Sequence, residues 1–439
     1  MLTRDEHGAA MMGGLRLADL LDLDAQGAEG ERIPTPAYVY DLDAMARAAR
    51  ELAAGFEGAP HLVAYAVKAN TAGPVVRALA AAGCGADVVS GSEMAVALAS
   101  GVPADAILFS GVAKSAREID RAIGAGDQGI LAIQIESVEE IARVAARAKG
   151  LGRRARISLR VNPAVEADTH AHVATGHDEA KFGIAVGDLP AAWAEIARAE
   201  NAPWLRLVGV GSHIGSQLTR TDEYLAAVDA LLAVAARSVA ANGPLEIIDC
   251  GGGFGVDYGA GCAAKPADFA RGAAKRVAAS GLGAVRIVVE PGRSMVAPYG
   301  VLCASVVMAK RSRGGEVERR WLMIDAGMND LLRPALYAAK HRIEPLEGPP
   351  PAASAAMGFR VVGPVCESSD DFGEHPFAEP LPRAVVIRDA GAYGYVMASE
   401  YNGRALPAEV FVAGGKIVAV HRPRSPEDWA NERASIGLR

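Results

Sequence analysis

From about residue 36 to residue 295 the chain alternates short apolar runs with longer stretches rich in Ala, Glu and Arg. The runs fall at 61–68, 86–90, 106–109, 130–135, 156–161, 206–213, 245–250 and 285–290. They are rich in Ile, Val and Leu, and such short apolar runs predict buried strands. The stretches between them, such as Ser92–Ser100, Ser137–Lys149 and Asp222–Ala241, combine good helix formers with a leading Ser or Asp and predict helices. Strands alternating with helices imply a parallel sheet. Eight such units in this length imply a closed (β/α)8 barrel, a TIM barrel, over residues 36–295. A doubly wound open sheet is the structural alternative, but no G-x-G-x-x-G follows the first strand.

After Arg293 the pattern changes. Apolar runs at Val301–Ala309, Trp321–Asp325, Phe359–Val362, Ala384–Arg388, Val410–Val412 and Lys416–Val420 are separated by Gly, Pro and charged residues. This predicts an antiparallel β domain over 296–425. Glu344–Ala356, with Pro345 and Pro349-Pro350-Pro351, predicts a connecting loop. Residues 1–35 are expected to join the second domain or to pack loosely. The length of 439 residues agrees with two or three domains.

Composition narrows the function classes. The chain is 51% apolar and 22% charged, enough for a large core, and its net charge of -7 comes without a basic cluster. Nucleic acid and anionic membranes are therefore not expected as partners. The five cysteines (Cys84, Cys250, Cys262, Cys303, Cys366) are scattered and form no C-x-x-C pair, a pattern suited to a reducing compartment. The first 30 residues contain acids throughout, and no uncharged run reaches the length of a membrane span. The expectation is a soluble cytoplasmic protein.

Active sites in barrels of this kind lie at the carboxyl ends of the strands. The unusual residues fall there: Lys68 after the first strand, Arg160 and Asn162 at the fifth, and His213 at the sixth. Gly251-Gly252-Gly253 follows the seventh, and Glu290-Pro291-Gly292-Arg293 closes the eighth. A lysine ending an apolar run is either snorkelling to water or held where its ammonium is disfavoured and its neutral amine can form a Schiff base. A triple glycine lets backbone N–H groups approach an anion, at a recurrent phosphate position of the fold; otherwise it is a tight turn. Ser212-His213-Ile214-Gly215-Ser216 adds a hydroxyl and a flat ring at the same rim. Glu290 is either paired with Arg293 or directed at a ligand, and a pyridinium nitrogen would suit it. Lysine, phosphate cradle and carboxylate together are what pyridoxal 5'-phosphate requires.

Other polar clusters carry less. Thr169-His170-Ala171-His172 with His177 and Asp178 lacks the spacing of a metal site, and no metal is expected. Cys250 is expected to be buried filler. In the second domain, Asp325–Tyr337, Gly363–Ser368 and Asp389–Gly394 each place polar residues after an apolar strand. Of these, Cys366 beside Glu367 suits proton transfer.

Eight motifs in order then resemble one family. Thr35–Asp41, Ala66-Val67-Lys68-Ala69-Asn70, His213–Ser216, Gly251–Gly253, Glu290–Arg293, Asp325–Tyr337, Gly363–Ser368 and Gly391–Gly394 are similar to those of the diaminopimelate decarboxylases, barrel-type pyridoxal-phosphate enzymes. The resemblance spans about residues 33–425, and Asn329–Tyr337 separates it from ornithine and arginine decarboxylases. It departs at Ser369, where the family usually has Gly, and Asp370-Asp371 doubles the acid that follows.

The resemblance implies that Lys68 binds the cofactor covalently, that His213 stacks on its ring, and that Glu290 contacts its pyridine nitrogen. It puts Ser216, Gly251, Gly252, Gly253, Gly292 and Arg293 near the phosphate. It further implies that Arg293, Arg333 and Tyr337 hold the distal carboxylate of the substrate and that Glu367 holds the distal ammonium. Tyr393 would touch cofactor or substrate, and Cys366 would donate the proton. Cys366 and Glu367 would serve the partner subunit of a homodimer. The implied reaction is decarboxylation of meso-2,6-diaminopimelate to L-lysine. The alternatives are a related decarboxylase acting on ornithine, arginine or carboxynorspermidine, a racemase, and a cofactor-binding regulator lacking the second domain.

Overall fold

The structure, a computed structural model, describes residues 1–23, 32–162, 181–259, 261–262, 264–312, 314 and 318–436. The chain divides into two compact units. One is built from residues 46–257 and 261–295, the other from residues 1–45, 258–259 and 296–436.

In the first unit eight parallel strands close on themselves: β1 (His61–Ala66), β2 (Gly85–Val88), β3 (Ile107–Phe109), β4 (Ala132–Ile135), β5 (Ala155–Asn162), β6 (Leu205–Gly211), β7 (Ile247–Gly252) and β8 (Arg286–Glu290). β8 pairs with β1, and β4 pairs with β5 through Ile133 opposite Ile157, so the sheet has no open edge along this ring. All eight strands lie where the apolar runs predict them. Leu62, Ala64, Leu108, Ala132, Val208, Ile247 and Val288 pack together as one apolar cluster of this unit. Helices fill the intervals. Val138–Leu151 starts at Ser137, whose hydroxyl accepts the Glu140 N–H, and ends at Gly152 in the left-handed region.

Helix Asp222–Asn242 is, among the described residues, the one long and apolar enough to cross a membrane. It buries Tyr224, Ala227, Val228, Leu231 and Ala235 and packs along β6 and β7, as a barrel helix does.

The second unit differs from expectation in two ways. Its main sheet runs Asp371–Phe377, Met357–Val362, Arg319–Ile324, Gly300–Ser312, Ala37–Asp41, Ala408–Ala413, Lys416–His421, with Ala384–Ile387 also on Gly300–Ser312. It is mixed rather than purely antiparallel. Arg319–Ile324 runs parallel to Met357–Val362, and Ala408–Ala413 runs parallel to Ala37–Asp41. The barrel unit also starts after residue 45 rather than at 36, because the apolar run Ala37–Asp41 finds its partners in this sheet. The N-terminal residues join it: Leu2, Met12, Leu17 and Leu21 share one core with Val39, Val301, Val386 and Val410.

Buried acids in this unit give a pH dependence. Burial pushes Glu409 up to about 7 against the hydrogen bond from the Tyr40 hydroxyl at 3.1 Å, and it raises Asp330 to about 7 and Asp325 to about 6. The folded state therefore holds protons that the unfolded chain releases. Their stabilisation is complete below the ordinary carboxylate range and is lost as pH rises to 7. Glu409→Gln resembles the protonated acid, so thermal unfolding should show the variant close to wild type at pH 5 and more stable than wild type at pH 8. A difference independent of pH would contradict this.

Candidate active site

Lys68 lies two residues beyond β1, in the single turn Val67–Ala69. Its Nζ is 3.2 Å from Asp87 Oδ2, at the end of β2, and its side chain is 38% exposed. Of the two expected settings, snorkelling to water or a low-dielectric hold, the structure gives neither in pure form: the amine is partly exposed and ion-paired with a fully buried carboxylate. Burial raises the Asp87 pKa and the charge of Glu290 raises it further, while Lys68 opposes both. The amine is held at a defined place, facing Asp87 and within the field of Glu290.

Glu290 ends β8 and is 7% exposed. Burial alone would raise its pKa. The neighbouring His213, the Lys68 charge and a hydrogen bond shared with Asp249 outweigh it and pull the carboxyl down to about 2. His213 Nδ1 is 3.6 Å from Glu290 Oε2 and 3.3 Å from the Gly252 nitrogen. Asp249, on β7, moves the opposite way: burial and the adjacent Glu290 charge push it well above the carboxylate range. Its Oδ2 accepts from Gln134 Nε2 at 2.6 Å and its Oδ1 from the Gly251 N–H at 3.0 Å. The two buried acids thus push each other apart, Asp249 upward and Glu290 downward.

The glycine run needs its missing side chains. A Cβ on Gly252 would lie 2.0 Å from the Glu290 carbonyl oxygen, and one on Gly253 2.2 Å from that of Gly215. Gly253 also has φ +89°. This tight meeting of β7, the segment after β6 and the end of β8 brings Ser216 and Arg293 together, with Arg293 Nη2 donating to Ser216 Oγ at 2.9 Å. Gly292 is buried beside it. A cation, a hydroxyl and glycine backbone suit a phosphate, an ionised carboxylate suits a pyridinium nitrogen, and an amine suits an aldehyde. The residues fit pyridoxal 5'-phosphate.

In the second unit Arg333 opens the short helix Arg333–Tyr337 and is 6% exposed. Its Nη1 is 2.7 Å from His341 Nε2, and its guanidinium lies 4.8 Å over the Tyr258 ring. Arginine can only donate, so His341 accepts through Nε2 and gives its Nδ1 hydrogen to the Arg388 carbonyl at 2.8 Å. Tyr337 lies four residues on, on the same helix face. Tyr393 is half-buried with φ 55°. Cys366 and Glu367 are exposed. The Cys366 N–H donates to Asn402 Oδ1 at 2.9 Å, and the Tyr401 hydroxyl donates to Glu367 Oε1 at 2.5 Å.

Asp87, Gln134, Asp249, Tyr258, His341 and Tyr401 were not legible as site residues. For Asp87 and Asp249 the signal was there, since each is an acid inside an otherwise apolar strand. Arg160 and Asn162 lie on β5, where Arg160 Nη1 meets Glu136 at 2.9 Å. Cys250 is buried, and burial raises its thiol pKa. The segment with His170, His172, His177 and Asp178 lies outside the described residues.

Residues 42–297 match the model of the pyridoxal-dependent decarboxylases, pyridoxal binding domain. The chain is 38% identical to the diaminopimelate decarboxylase of Zymomonas mobilis over 92% of its length and 93% of that protein's. It is 40% identical to that of Pseudomonas fluorescens over 91% and 92%. Among solved structures, diaminopimelate decarboxylase from Helicobacter pylori complexed with L-lysine superposes with a TM-score of 0.82 at 36% identity, covering 91% of this chain and 97% of that one. The enzyme from M. jannaschii in complex with L-lysine gives 0.86 at 30% identity, covering 98% and 97%. With a pyridoxal-binding barrel, a mixed β unit and this likeness along nine-tenths of its length, the chain belongs to the diaminopimelate decarboxylase family of pyridoxal-dependent decarboxylases.

Proposed function

We propose that the protein decarboxylates meso-2,6-diaminopimelate to L-lysine and carbon dioxide, the closing step of lysine synthesis, with pyridoxal 5'-phosphate as cofactor. The observation that carries the substrate assignment is Arg333, a guanidinium 6% exposed and held by His341 and Tyr258, which is a built site for a carboxylate. Purified protein incubated with the cofactor and meso-diaminopimelate should release equal amounts of lysine and carbon dioxide. Release from ornithine instead would move the assignment to the related decarboxylases.

When bound, the cofactor supplies an electron sink for the pair left behind as carbon dioxide departs. Lys68 would hold it through its amine. Glu290, whose carboxyl His213 and Lys68 hold below the usual carboxylate range, would keep the pyridine nitrogen protonated, and His213 would back the ring. Ser216, Gly251, Gly252, Gly253, Gly292 and Arg293 hold the phosphate. Arg293, Arg333 and Tyr337 take the distal carboxylate, Glu367 takes the distal ammonium, and Tyr393 lines cofactor or substrate. The Cys366 thiol returns a proton to the carbon that lost carbon dioxide.

Cys366 and Glu367 are exposed on this chain, and that supports their delivery to a partner in a homodimer. We place the enzyme in the cytoplasm, free of nucleic acid and membrane. The net charge of -7, the scattered free cysteines and the packing of helix Asp222–Asn242 against the barrel support this.

Replacing Glu290 by Gln removes the charge that holds the pyridine proton. With cofactor still bound, kcat should fall by about two to three orders of magnitude, the scale of one lost preorganised electrostatic contact. An unchanged rate in a cofactor-saturated variant would contradict this role.

A further inference from the structure

The loop after Met357–Val362 has two buried anchors, Val365 and Asp370, and four exposed residues between them, Cys366, Glu367, Ser368 and Ser369. The doubled acid at its end divides two tasks. Asp371 faces Arg360 on the surface, with Arg360 Nε donating at 2.8 Å. Asp370, 4% exposed, turns inward and receives two backbone N–H groups. Its Oδ2 accepts from Val365 at 2.6 Å, closing its own loop. Its Oδ1 accepts from Met328 at 2.6 Å, on the segment that leads into Arg333.

The two segments are pressed together there. A Cβ on Gly363 would lie 2.5 Å from the Gly327 Cα and 2.6 Å from the Ala326 carbonyl oxygen. The Met328 segment is itself stiff. Asp330 Oδ2 accepts the Gly327 N–H at 2.8 Å, and the Gly327 carbonyl accepts from Asp330 and Leu331 at 2.9 and 3.0 Å. A displacement at Met328 is therefore carried a few residues on to Arg333.

We propose that Asp370 is a positioning residue that ties the two halves of substrate recognition together. One carboxylate fixes both the segment that sets Arg333 in its own subunit and the loop that carries Cys366 and Glu367 to the partner. This rests on the shared-site reading above. Two N–H donors on two oxygens require a carboxylate. An asparagine would set its NH2 against one of the donors and release one segment, although its size is unchanged.

The test is Asp370→Asn in hybrid dimers of the holoenzyme, isolated by two different affinity tags. As a control, the isolated hybrid of Lys68→Ala with Glu367→Ala carries one complete site of two, so it should show about half of wild-type activity. The Asp370→Asn homodimer should keep its cofactor content and dimer mass but lose about 10²-fold in kcat/KM, the cost of misplacing recognition groups by about an ångström.

Paired with Lys68→Ala, the working barrel belongs to the Asp370→Asn chain. It receives an intact Cys366–Glu367 loop but keeps its own loosened Arg333. Recovery should be partial, with kcat restored and KM for diaminopimelate still raised. Recovery to the control level would confine Asp370 to its loop, and no recovery would confine it to the Arg333 segment; either result overturns the coupling. A silent control with subunit exchange confirmed would instead overturn the shared site, and the coupling with it. Should Asp370→Asn fail to fold, Gly363→Ala, which drives the same segments apart, is expected to give the same split of kcat from KM.

Discussion

Lys68→Ala should abolish the visible absorption band of the lysine-bound cofactor and nearly all turnover. Lys68 is the amine that stands two residues past β1, 3.2 Å from Asp87, among groups that also face Glu290. Covalent anchoring turns an encounter between cofactor and substrate into an exchange at a fixed place. The loss should reach about 10⁴-fold or more, given the effective molarities of oriented groups. Lys114, the buried lysine of the barrel unit among the described residues, spends its donors on the Gly111 and Gln134 carbonyls at 2.7 and 2.5 Å and on Glu140 at 3.0 Å. A band that persisted in Lys68→Ala would assign the covalent attachment to another lysine.

The barrel was legible because its strands are buried on both faces and appear as continuous apolar runs, each close to its neighbours in the chain. Lys68, His213 and Glu290 stood out because they interrupt those runs at one end. The run Ala37–Asp41 has the same appearance and a different fate. It lies between Gly300–Ser312 and Ala408–Ala413, partners hundreds of residues away that no local pattern reveals. Asp371–Phe377 escaped notice for a different reason: Gly373 and Pro376 break its run, which an edge strand tolerates. The second layer of the site was hidden in the same way. The upward shift of Asp249 depends on Glu290 and its oxygen is held by Gln134, residues of other strands, and the tautomer of His341 depends on Arg333 and the Arg388 carbonyl. Such pairings exist only once the strands are in register.

Specificity should rest on Arg333. A planar guanidinium matches a carboxylate with two parallel hydrogen bonds, and lysine in its place would keep the charge but lose the fork. Here the fork is held on one edge by His341 and on one face by Tyr258, and only 6% of the residue is exposed. Diaminopimelate carries a distal carboxylate for it; ornithine, arginine and lysine do not. With those substrates the buried guanidinium would gain no carboxylate from the substrate, a loss that recognition of a polar group can turn into discrimination of about 10⁴ in kcat/KM. Arg333→Ala should therefore cut kcat/KM for diaminopimelate by a factor on the order of 10³, while the small activity on ornithine changes little. The measurement is kcat/KM for both substrates in both proteins. Comparable values for ornithine and diaminopimelate in the wild type, or an equal loss on both in Arg333→Ala, would remove Arg333 from substrate selection and return the choice of substrate to the ornithine-type alternatives.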